Sequence, residues 1–189
     1  MPSVTTPLET ADAVWKPILI RAGVALIFAL PTVFVQDPSL LWMKIALAVY
    51  LVFSGSAMWE YLRREPVPEA MRSPLSLAAA SWMLGTLVLF FFSDPRWVGL
   101  TVAAALLAGG VAELVAWFRH RHEFVPARDQ LVTGAVGVGT GALLIWGSGL
   151  NIHAQLGIVG GGAIIIAVVL AISGIGFYLD VRKARSAQP

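Results

Sequence analysis

Six apolar stretches of near-spanning length, at residues 17–35, 40–62, 75–92, 98–118, 131–146 and 154–179, constrain this chain more than anything else in it. A hydrocarbon core of about 30 Å takes roughly 20 mostly apolar helical residues per crossing. Six crossings use most of the 189 residues and leave only connectors, so no separate soluble domain fits. Charged residues make up 13% of the chain and the mean hydropathy is +0.79, where soluble domains carry about 25% charged residues. In lipid, every backbone amide must bond within its own segment or in a closed barrel, and runs without period-two alternation favour helices. The expected fold is an all-α membrane protein with six transmembrane helices in a single transmembrane domain, 1–189.

The connections at 36–39, 93–96 and 147–151 are short and built from Asp, Pro, Gly, Ser and Asn, residues that stop helices. Three helical hairpins result, 17–62, 75–118 and 131–179. The longer connections and the C-terminus hold Arg63, Arg64 and Arg72, then Arg119, Arg121 and Arg128, then Arg182, Lys183 and Arg185, while the short turns hold only Arg96. The positive-inside rule then places the N-terminal segment 1–16 and the tail 180–189 in the cytoplasm. Tryptophan prefers the headgroup level, and Trp15, Trp42, Trp59, Trp97, Trp117 and Trp146 fall near span ends; Trp82 lies deeper. The opening stretch contains Glu9 and Asp12 and lacks a basic signal-peptide region, so the first span is expected to stay in the mature chain. Ser54-Gly55 before Arg63-Arg64 and Ser173-Gly174 before Arg182-Lys183 share one spacing, with Gly109-Gly110 before Arg119 as a looser copy, so the hairpins read as degenerate repeats.

Several chemistries have no footing in the sequence. The net charge is +2, but the basic residues cluster beside apolar runs, which argues against nucleic acid as a partner. With no cysteine, thiolate chemistry and cysteine-ligated metals are excluded. No HExxH, P-loop, GxSxG elbow or pair of intramembrane histidines occurs, so no catalytic residue, metal or cofactor is assigned. The GxGxxA pattern at 137–142 lacks the preceding strand that dinucleotide binding needs. His120 and His122 sit two apart and so face different sides of a helix; with Arg119 and Arg121 they read as a basic flank that attracts anionic lipid. His153 reads as a solvated turn residue.

Small residues recur four apart: Ala105 and Gly109, then Thr133, Gly137 and Gly141, then Gly157 and Gly161. Such faces let helix backbones approach closely in a bilayer, where packing drives association. Glu113 is the most informative polar residue. It continues the stripe Thr101, Ala105, Gly109, Glu113, Trp117, and a carboxylate at that depth must face protein or water and find a partner. Arg21 lies at comparable depth from the cytoplasmic end of the first segment, so an Arg21–Glu113 pair is expected as the polar site.

The three-hairpin plan, the run Arg21-Ala22-Gly23-Val24-Ala25-Leu26-Ile27-Phe28-Ala29-Leu30-Pro31 and the later Tyr50-Leu51-Val52-Phe53-Ser54-Gly55 resemble the HdeD-like family of small bacterial acid-resistance membrane proteins. Pro38 and Pro95 fit that family's outer turns, whereas the third turn has no proline. The resemblance implies a stress-related, non-enzymatic protein of the bacterial inner membrane and offers no catalytic residues to carry over. The leading expectation is a non-catalytic membrane protein, or an accessory subunit, whose partners are the lipid bilayer and other membrane subunits or copies of itself. A small transporter or proton pathway centred on Arg21 and Glu113 is the alternative. A lipid-acting intramembrane enzyme using Glu113 with His120 or His122 is the third.

Overall fold

The computed structural model describes residues 7–186 and is helical almost throughout, with no strand among them. Six long helices follow in order: α1 Leu8–Phe34, α2 Leu40–Leu62, α3 Glu69–Val88, α4 Pro95–His120, α5 Ala127–Trp146 and α6 Ile152–Ser186. A single 3-10 turn, Leu89–Phe91, extends α3. The helix starts at the short turns are set by side chains that satisfy free amides. Ser39 accepts from the Trp42 amide at 3.2 Å, Asp94 from the Arg96 amide at 2.8 Å, and Asn151 from the Ala154 amide at 2.8 Å. Pro95 occupies the first turn of α4, where its missing N–H costs nothing.

Five of the helices, all but α5, are long and apolar enough to cross a membrane. The chain is therefore an integral membrane protein of helical type. α5 is diluted by Asp129, Gln130, two threonines and four glycines, and this lowers its apolar character where the sequence placed a sixth span. The helices also reach beyond the expected segments. Residues 8–16 are helical and continuous with α1, and the tail is helical to Ser186. Residues 1–6 and 187–189 lie outside the described residues.

The helices form a closed ring in which each packs on its sequence neighbours and α6 returns to α1. The most extensive contacts are α1 with α6 and α4 with α5, both between the expected hairpins, and α5 with α6 is the thinnest seam. Glycine explains the α4–α5 contact. A Cβ on Gly110 would come within 2.7 Å of the Gly134 carbonyl oxygen, one on Gly134 within 2.8 Å of the Gly110 carbonyl, and one on Gly141 within 2.9 Å of the Ala103 carbonyl. Backbone thus meets backbone, as small-residue faces permit. Ala105 and Gly109 turn to α3 instead, where Ala105 lies against Gly85 and Gly109 against the Trp82 indole; Gly137 packs on Leu106 and Gly110.

Gly157 and Gly161 do not pack within the bundle, since both are exposed and point away from it. Gly160 and Gly162 do the packing, against Thr32 of α1 and Thr140 of α5. Four glycines crowd this stretch of α6, so four-residue spacing leaves the inward face open. The phase is set by the larger inward residues Leu156, Val159, Ala163, Ile166 and Leu170.

Overpacking a tight contact costs about 1–3 kcal/mol. Gly110→Ala should accordingly lower the thermal stability of the detergent-solubilised protein, followed by loss of its monodisperse chromatographic peak on heating. Gly139→Ala, with nothing within 4 Å of its new methyl, should leave it unchanged.

Candidate functional site

The polar centre lies inside the ring. Arg21 of α1 donates through Nη1 to Glu113 Oε1 of α4 at 2.6 Å, with Arg21 6% and Glu113 0% exposed. α1 and α4 are not neighbours around the ring, so the bond reaches across the bundle. Taking two charges out of water is costly, and only close pairing with hydrogen bonds offsets that cost. Arginine suits the task because its charge is delocalised and its plane can stack on aromatic rings. The Arg21 guanidinium stands 4.8 Å above the Trp82 ring of α3. Trp82, the one tryptophan away from the span ends, is thus a cation–π partner for the buried cation and a wall against Gly109. Phe28 and Tyr50 stack at 4.5 Å and help close the bundle between α1 and α2.

The expected pair is brought together, and a second polar layer accompanies it that sequence reasoning missed. Asp129, in the first turn of α5 ahead of the apolar stretch beginning at Leu131, is buried and accepts from the Ser173 hydroxyl of α6 at 2.6 Å. Burial pushes the Asp129 carboxyl up, while the Ser173 hydrogen bond and the Arg128 and Arg21 charges pull it back. Asp129, Gln130, Tyr61 and Arg21 line a small cavity of about 10 Å³, together with Pro17, Ile18, Ala57, Met58 and Leu170. Tyr61 Oη, Gln130 Oε1, Glu113 Oε2 and Trp82 Nε1 are buried without a hydrogen-bond partner. A sequence signal for this layer did exist. Asp129 and Gln130 are polar neighbours at the start of a glycine-rich helix, but they fall in the long connection just ahead of the apolar stretch that begins at Leu131.

Other residues settle into structural roles. His120 is buried, with Nδ1 3.1 Å from the Ala116 carbonyl of its own helix, whereas His122 is exposed. His153 is half-buried rather than solvated, its Nδ1 2.9 Å from the Val35 carbonyl, tying the start of α6 to the end of α1. Glu60 pairs with Arg64 one turn on. Among the described residues no group of three or more His, Asp or Glu is arranged to hold a metal ion. A hollow of about 470 Å³ opens outward between α3 and α4, lined by residues such as Leu84, Val88, Phe92 and Leu100, and lies away from the polar centre.

The fold and site define an all-helical integral membrane protein with a sealed ion pair at its core. No protein-family model, curated protein or solved structure matches the chain.

Removing one member of a buried pair strands the other charge, at about 3–5 kcal/mol, while replacing both with apolar residues is often nearly neutral. Arg21→Met and Glu113→Leu should each sharply lower the melting temperature in detergent, and the double variant should recover most of the loss. Single variants no worse than the double would show that the pair carries no such constraint.

Proposed function

We propose that this chain is a non-catalytic membrane protein that acts by assembly, with copies of itself or as an accessory subunit beside other membrane proteins, in envelope stress tolerance. The observation that carries this reading is the closed interior. The charged centre is occupied by Arg21–Glu113, and the space beside it is about 10 Å³, too small for any solute larger than water. Chemistry or transport would need a substrate to reach those groups. What the protein presents instead is its outer surface, where Gly157 and Gly161 face outward with no neighbour within 4 Å. Small residues on a lipid-facing helix permit close approach of a second helix. The resemblance to the HdeD-like family supports the stress role and a bacterial inner membrane.

In this reading all six helices cross the bilayer as three hairpins, α5 through its stretch from Leu131 to Trp146, and both termini face the cytoplasm. The arginine clusters at the two long connections and the C-terminus support that orientation. The absence of native cysteine makes the topology directly measurable. A cysteine at Ser93 or Ser148 should react with an impermeant maleimide added to intact spheroplasts, and one at Arg121 only after lysis. The opposite pattern would reverse the orientation.

Assembly is tested by crosslinking in cells and by mass measurement in mild detergent. A complex larger than one chain is expected, weakened by Gly157→Leu with Gly161→Leu while the monomer stays folded. A lone monomer with no crosslinked partner would sink the proposal.

A further inference from the structure

One buried guanidinium faces two buried carboxylates. Arg21 bonds Glu113 directly and shares the small cavity with Asp129, which is 6% exposed. With both carboxylates ionised, the cluster holds one uncompensated negative charge inside the bundle, a state that burial strongly disfavours. Arg128, on the same turn as Asp129, is exposed; its charge pulls the Asp129 carboxyl back from outside but is not enclosed with the cluster.

The cavity itself is equipped for a ligand. Tyr61 and Gln130 are each 4% exposed, and both line it with a polar atom that has no partner. Arg21 and Tyr61 supply donors, and Gln130 and Asp129 supply acceptors. A volume of about 10 Å³ matches the minimum for one water, which needs two to four polar partners. We propose that Asp129 is a buried proton-binding site, its proton neutralising the cluster, and that a single water among Arg21, Tyr61 and Gln130 is its hydrogen-bond partner. Uptake moves one proton from hydronium to an Asp129 carboxylate oxygen and leaves neutral water; release reverses this.

The buried titratable groups on the surrounding helices are Arg21 on α1, Tyr50 and Tyr61 on α2, and Glu113 and His120 on α4; Arg128 beside Asp129 is exposed, and the Ser173 hydroxyl of α6 donates to Asp129. His120 is turned to its own backbone, with Nδ1 3.1 Å from the Ala116 carbonyl. This inference does not depend on assembly, and the two can fail separately.

Infrared spectroscopy of the full chain in phosphatidylcholine vesicles, titrated in pH, tests it. The carbonyl stretch of a protonated carboxyl group is expected at neutral pH, vanishing in alkali and missing from Asp129→Asn. In Glu113→Gln the band should disappear at lower pH than in the native chain, because Arg21 then has only Asp129 to balance. In Ala57→Val, which narrows the cavity, it should persist to higher pH, because the ionised form loses its water. No protonated band in the native chain at neutral pH overturns the proposal whether or not any variant folds. So does a band that survives Asp129→Asn. A titration midpoint unmoved by Glu113→Gln refutes the charge balance, and one unmoved by Ala57→Val refutes the water.

Discussion

The hydrogen-bonded ion pair between Arg21 and Glu113 spans the bundle between helices that do not otherwise adjoin, and much of the interior is arranged around it. A guanidinium sealed from water needs its counter-charge within hydrogen-bond reach, so α1 and α4 cannot rotate or slide independently without stranding a charge. Trp82 must lie over the guanidinium, which brings α3 against α4 and makes Gly109 necessary where the indole packs. The pair thereby orders three helices by electrostatics and one glycine by sterics. Such directionality matters in a bilayer, where apolar side chains gain little from leaving lipid for protein.

Around that centre, close packing closes the ring. The Gly110–Gly134 approach places α4 and α5 backbone to backbone, while Gly160 and Gly174 of α6 make room for the Thr32 and Leu19 side chains of α1. These contacts run between the hairpins that chain order suggests, so chain connectivity and packing strength follow different seams. The weaker α5–α6 seam is bridged by polar groups, with Ser173 donating to Asp129 and Gly162 lying beside Thr140. Ser173 belongs to the Ser-Gly pair that resembles Ser54-Gly55. Their settings differ, since Ser173 bonds a carboxylate while the Ser54 hydroxyl has no partner.

The polar interior is a graded set of sites rather than one. Arg21, Glu113 and Trp82 form the charged layer, and Asp129, Gln130, Tyr61 and Ser173 form the second, toward the ends of α2 and α5 that adjoin the longer connections. Between them lies space for about one water. That space matches one water and is too small for a larger solute.

Length, hydropathy and turn residues in the sequence determined that the chain is helical, that it belongs in a membrane and roughly where its helices turn, because backbone in lipid must satisfy itself locally. The Arg21–Glu113 pairing was also legible, since two isolated charges at similar depth have few other partners. Glycine spacing was legible only in part. It put Gly137 and Gly141 at a helix contact but did not show that Gly157 and Gly161 face out of the bundle, because which side of α6 faces inward depends on the bulky residues that its neighbours accept. Asp129 and Gln130 were hidden for a related reason. They fall in the long connection just ahead of Leu131, and only the return of α6 onto α1, with Ser173 reaching Asp129, encloses them. Local chemistry fixes the helices; the tertiary structure alone decides their facing, because that depends on contacts between residues far apart in the chain.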